Sequence, residues 1–233
     1  MKILVCISKS PDTTSKIAFT DNNTKFDENG VQYIVNPYDE WYALVRALEL
    51  KESIGGNVTI ANGIGVAGSI SATSKDSDAI ALRLGAGTTT PQLQNSGIIS
   101  GASGNVTGAT ATAIRIDAGA SLPAIRNSGT IKAAVGEKGT ATAIFDASGT
   151  VTLIENSGSI IASGAAANSG RNIAIDLSAN TTGVTLKQTQ VGAGFAAPVI
   201  EGNVRLGSGN DLFSVADGKV TGDVSFGGGN DTL

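Results

Sequence analysis

Histidine is absent from the 233 residues, and cysteine, methionine and tryptophan occur once each. Without histidine there is no Ser-His-Asp or Cys-His nucleophilic site and no imidazole ligand for a metal. One cysteine excludes an internal disulfide and a multi-thiolate zinc site, and leaves the redox compartment open. No apolar stretch approaches the roughly 18 residues that a spanning helix needs. Residues 1–7 are apolar, but Ser8-Lys9-Ser10-Pro11-Asp12 follows at once, so the run is too short for a signal-peptide core. The sequence therefore reads as carrying no export signal and no membrane anchor. Sixteen Lys and Arg against 20 Asp and Glu give a net charge of −4 with both signs scattered. There is no basic stripe for nucleic acid and no polybasic patch for anionic lipid.

Aromatic residues make up 4% of the chain, and their placement divides it. Residues 1–58 hold six of the ten aromatics, the Trp, Cys and Met, and only 3 of the 31 glycines. The remainder is rich in Gly, Asn and Thr, so two kinds of sequence meet near position 58. Residues 2–7 read as a buried strand, and residues 16–19 and 32–35 as shorter strands flanking a polar turn at 27–30. Asn36 as cap, Pro37 at the first helical position, and an apolar stripe of Trp41, Leu44, Val45 and Leu48 predict a helix stopped by Gly55-Gly56. Strand, hairpin, helix and a further strand at 58–60 open an α/β sheet.

From there the chain repeats. Asn-Ser-Gly recurs at Asn95, Asn127 and Asn156, each time followed by two residues of which the second is Ile. Residues 116–133 overlay 145–162 without a gap, which sets Asp117 on Asp146 and Asn127 on Asn156, and residues 84–95 overlay 116–127. Ala-Ile pairs at Ala79, Ala113, Ala143 and Ala174 mark a second recurring element. Each period of about 30 residues offers three short strands that cannot close a core singly, and stacked coils can. Asn and Gly tolerate positive φ and suit the corners, and superposed Asn side chains can form a ladder. Past Asp176 the pattern loosens, with Lys187-Gln188 where the triplet is due. From 199 the period falls to 20: Gly202-Asn203-Val204 returns as Gly222-Asp223-Val224, and Gly209-Asn210-Asp211 as Gly229-Asn230-Asp231. The expected fold is mainly β, a right-handed parallel β-helix with a small N-terminal α/β segment. Its expected divisions are 1–58, 59–198, and 199–233 with shorter coils, the last repeat cut at Asp231-Thr232-Leu233.

Residues 1–14 together with 36–52 resemble the amino terminus of the electron transfer flavoprotein β subunit, over about a quarter of the chain. The resemblance implies an α/β domain that holds AMP, beside a partner α subunit that holds most of the FAD. The matching positions are Cys6, at the end of the first strand, and Asn36, Pro37, Tyr38 and Asp39, whose backbone amides at a helix start suit a phosphate or ribose. Read from the residues alone, Cys6 is a small buried hydrophobe and Asn36-Pro37 a helix cap. Nothing after Ile60 resembles that family.

Residues from about 56 onward resemble the passenger region of bacterial autotransporters and related adhesins. That implies a β-helix displayed at the cell surface after passage through an outer-membrane barrel, which this chain does not contain, and a host or cell-surface ligand. Under the flavoprotein alternative the location would be cytoplasmic. The two parts meet at Gly56-Asn57-Val58-Thr59, which recurs at 104–107, so the expectation is a chimera joined at a shared tetrapeptide. Gly-Xaa-Gly-Asn-Asp resembles the calcium-binding nonapeptide of repeats-in-toxin proteins and makes Asp211 and Asp231 candidate calcium ligands; a plain Gly-Asn-Asp corner is the other reading. For catalysis, Arg115, Asp117, Asp146 and Asp176 are the residues to check. Arg115 and Asp117 stand two apart and share a strand face. Asp117 and Asp146 occupy equivalent repeat positions just before Ala, which favours strand-end or turn residues, and the expectation is a protein without enzymatic activity.

Overall fold

The computed structural model describes residues 9–11, 19–20, 25–26, 33–35 and 57–233. The chain separates into two units, Met1–Asn57 and Val58–Leu233. In the first unit Lys9–Pro11 pairs antiparallel with Tyr33–Val35, and Phe19–Thr20 with Lys25–Phe26. The strands expected near 16–19 and 32–35 thus each have a different partner from the one the polar turn suggested. The strand expected at 2–7 and the helix from Asn36 lie outside the described residues.

The second unit is a solenoid of three parallel six-stranded sheets, to which each coil contributes one strand apiece. The first face runs through Ile64–Val66, Leu93–Asn95, Ala124–Asn127, Leu153–Asn156, Thr185–Gln188 and Leu212–Val215. The second runs through Ser69–Thr73, Ile98–Ala102, Thr130–Ala134, Ser159–Ser163, Val199–Glu201 and Lys219–Thr221. The third runs through Ala79–Leu84, Thr110–Ile116, Thr140–Asp146, Asn172–Asp176, Asn203–Arg205 and Val224–Ser225. Among the described residues every regular element is a strand.

Alternation explains the core. Along a strand successive side chains face opposite ways, so one aliphatic residue in two points inward. Ile64, Leu93, Ile125, Ile154, Leu186 and Phe213 are register partners up the first face. Ile70, Ile99, Ile131, Ile160, Ile200 and Val220 form the second row. Leu82, Ile114, Ile144, Ile175, Val204 and Val224 form the third. From Leu93 to Phe213 the first row is 0 to 1% exposed. At about 4.8 Å per coil the column is on the order of 25 to 30 Å long.

The change of period has a local cause. In the first four coils the second and third faces are joined by loops; in the last two, Gly202 alone and then Gly222 with Asp223 make that corner, the glycines at φ +117° and +128°. Only glycine adopts that backbone cheaply. On the second face Ile160 therefore pairs with Ile200, 40 residues on because residues 190–198 are inserted, and Ile200 with Val220, 20 residues on.

Three details of the overlay change. Ile116, not Asp117, pairs with Asp146, because the third face advances 30 residues where the first advances 29. Ile114 pairs with Leu82, so Ala79-Ile80 sits two residues out of step with Ala113-Ile114, a shift that preserves which face is buried. At the corners of Asn95, Asn127 and Asn156 no residue has positive φ. Glycine is required there by contact: a Cβ on Gly129 would lie against the carbonyl oxygen of Gly97, and one on Gly158 against that of Gly129.

Candidate functional site

The Asn-Ser-Gly corners build two ladders, one inside and one outside. Inside, Asn95 donates through Nδ2 to Asn127 Oδ1 at 2.8 Å, and Asn127 to Asn156 Oδ1 at 2.8 Å. Gln188 takes the next position and accepts from Asn156 at 3.4 Å, then donates to the carbonyls of Asp217 and Lys219. The loosened pattern at Lys187-Gln188 is thus a longer amide continuing the same ladder. Outside, the hydroxyls of Ser96, Ser128, Ser157 and Thr189 each donate to a carbonyl one coil below, those of Val66, Asn95, Asn127 and Asn156, at 3.3 to 3.4 Å.

That outer row borders a groove of about 610 Å³ along the first face. Gln94, Arg126 and Glu155 are consecutive register partners and stand in its lining, with Arg126 and Glu155 ion-paired. Nothing in the spacing of single charges marked this site. Its signal was the recurring Ser beside the Asn, together with the residue two before each Ser.

On the third face Asp117 bridges two arginines, accepting from Arg83 Nε at 2.6 Å and Arg115 Nε at 2.7 Å. Arg115 also lies over the Phe145 ring, 5.3 Å from its centroid. Burial pushes the Asp117 carboxyl up, but the hydrogen bonds and charges of Arg115 and Arg83 outweigh it and hold the group below its ordinary value. The one-residue slip gives Asp146 a different setting. It occupies the inward position of Ile116, is 1% exposed, and accepts from the backbone N–H groups of Ser148, Gly149 and Val151. Asp176 accepts from Ser178 N and Oγ in the same manner and meets Arg205 at 3.5 Å. The four residues weighed for acid and base chemistry are thus distributed among separate turn caps and one arginine bridge.

Asp211 and Asp231 stand one above the other at the corner after the third face. Asp231 Oδ1 accepts from the Asp211 N–H at 2.9 Å, and Asp211 Oδ1 from the Val184 N–H at 2.7 Å. Asp211 Oδ2 is buried without a hydrogen-bond partner. Burial raises the Asp211 carboxyl above its ordinary value, the Asp231 charge adds to that, and the Val184 hydrogen bond opposes it. The carboxylates are stacked, not set opposite each other as in a cage between facing turns. Among the described residues no group of three or more His, Cys, Asp and Glu converges. Cys6, Asn36, Pro37, Tyr38 and Asp39, the candidate AMP contacts, lie outside the described residues.

No family model and no solved structure matches the chain. Over 59 residues it is 39% identical to the electron transfer flavoprotein subunit beta of Bacillus subtilis, covering 25% of this chain and 22% of that protein. Over 52 residues it is 42% identical to the corresponding subunit of Syntrophomonas wolfei, covering 22% of this chain and 19% of that protein. The chain spans about a fifth of the length of these curated relatives.

Proposed function

We propose that residues 58–233 are a non-enzymatic extension and presentation module, the stalk-like or adhesin-like passenger portion of an autotransporter, acting at the cell surface. The observation that carries this reading is the unbroken aliphatic column under three parallel sheets. Such a stack gains length coil by coil, each coil resting on its neighbours, while its outer faces stay free for partners. The partners implied are an outer-membrane barrel for export and a ligand on a host or neighbouring cell. Protease treatment of intact source cells, followed by detection with an antibody against 58–233, tests it. The expected result is loss of the epitope without lysis; an epitope protected until lysis overturns the reading.

A second reading rests on the two flavoprotein relatives, whose matching stretches are about as long as the segment before the repeats. In it the chain is an electron transfer flavoprotein β subunit, truncated and inactive in electron transfer, with AMP near Cys6 and residues 36–39 and an FAD-bearing α subunit as partner. Titration calorimetry of the full chain with AMP decides it, since saturable binding supports this reading and its absence removes it. Within the first reading Asp211 and Asp231 are the proposed calcium ligands, tested by melting with and without the ion.

A further inference from the structure

The groove on the first face has a lining that a stalk does not need. Ser96, Ser128, Ser157 and Thr189 commit their protons to carbonyls of the coil below, so the oxygen lone pairs that remain are acceptors on the outside. They recur once per coil, about 4.8 Å apart. Gln94 adds a donor and an acceptor, and Arg126 and Glu155 add more of both while cancelling each other's charge. A hydroxyl-rich ligand of regular repeat and no net charge is complementary to such a strip.

Other classes of ligand fit poorly. An extended peptide joins a sheet through an unpaired edge, and among the described residues only Ile64–Val66, at one end of the groove, offers one; the strands under the rest of it are paired on both sides. A nucleic acid needs several unopposed cations, and the groove holds one arginine, already paired with Glu155. Thr189, the last lining residue in the chain, is followed by the inserted residues 190–198, where Phe195 is 77% exposed among exposed Gly and Ala. A free aromatic face is a platform for the apolar C–H face of a sugar ring. A pyranose unit in an extended chain is about as long as one coil step.

We propose that this groove binds a linear, uncharged oligosaccharide running parallel to the solenoid axis, one sugar per hydroxyl-bearing coil, with Phe195 stacking on a ring at its end. The test is titration calorimetry of the full chain with hexasaccharides of β-1,4-glucose, α-1,4-glucose and β-1,4-N-acetylglucosamine, with their disaccharides, and with a heparin hexasaccharide as charged control. The expected result is saturable binding of at least one neutral hexasaccharide, with its disaccharide tenfold weaker or more. Gln94→Ala, Phe195→Ala and Ser128→Trp, the last filling the groove from an exposed turn, should each weaken it fivefold or more with circular dichroism and melting unchanged. Failure of every neutral hexasaccharide to bind overturns the proposal. So does binding that Ser128→Trp leaves intact, or binding of the heparin fragment alone. None of these outcomes bears on surface display, which the protease experiment reads separately.

Discussion

Asn127 donates its side-chain amide to Asn156 Oδ1 at 2.8 Å from a position 2% exposed, and through the same nitrogen reaches the carbonyls of Gly129 and Ser159 at 3.2 Å. One amide thus closes its own corner and ties it to the next coil. Because Asn95 donates to Asn127 in turn, the corner is a chain of polar groups inside an otherwise aliphatic column, each depending on its neighbours for satisfaction.

Asn127→Ala should lower stability by about 2–4 kcal/mol, since it strands buried donors and acceptors on both adjoining coils. Asn127→Asp should cost more at neutral pH, because a carboxylate cannot donate and would be buried charged. Acidification should recover part of that loss as the carboxyl protonates. Urea unfolding of the full chain at pH 7 and pH 4 measures both; equal midpoints for Asn127→Asp at the two pH values, relative to the parent, would contradict the ladder.

Gly129→Ala should destabilise by about 2 kcal/mol or more, as the new Cβ falls against the Gly97 carbonyl oxygen of the coil below. Gly228→Ala meets nothing within 4 Å and has ordinary φ, and should stay within about 0.5 kcal/mol of the parent. Thermal melting of the two variants side by side separates a contact requirement from a conformational one.

Asp211 sets a pH dependence. Its folded carboxyl titrates above the ordinary value of 3.8, so the native state holds the proton more tightly than the unfolded chain. Stability is therefore greater below 3.8 and declines as pH rises through the folded value. Asp211→Asn keeps an acceptor for the Val184 N–H and removes the charge. It should flatten this part of the profile and raise the melting temperature at pH 7. A profile that superposes on the parent's between pH 3 and 7 would show that Asp211 is not the group responsible.

Asp117 acts in the opposite direction. Held below its ordinary value by Arg115 and Arg83, it contributes stability above 3.8 that is lost as pH falls through the lower, folded value. The arginine side chains are exposed, Arg83 by 60% and Arg115 by 38%, so the contribution is small. A double-mutant cycle of Arg83→Ala and Asp117→Asn should return a coupling of roughly 0.2–1 kcal/mol at low salt, falling in 1 M salt. A coupling that salt does not change would place the effect in packing instead of charge.

Repetition was legible in the residues alone. A period near 30, apolar residues at alternate positions and Asn at a recurring corner define a stacked β architecture, because isolated short strands cannot bury a core and superposed ones can. The shortening to 20 and the Gly-Asn-Asp turns were visible for the same reason. What sequence comparison did not supply was registration. The overlay equates Asp117 with Asp146, yet the coils pair Ile116 with Asp146, which leaves one carboxylate outside between two arginines and the other inside capping a turn. A step of one residue reverses the direction of a side chain, and only the packing of one coil on another decides where that step is taken. Glycine at the corner is likewise a matter of contact between layers, and Gln188 joins the ladder because its amide reaches the position that Asn holds elsewhere. The groove depends on residues about 30 apart in sequence lying side by side. Composition and period determined that the chain stacks; the interlayer contacts determined which side chains meet.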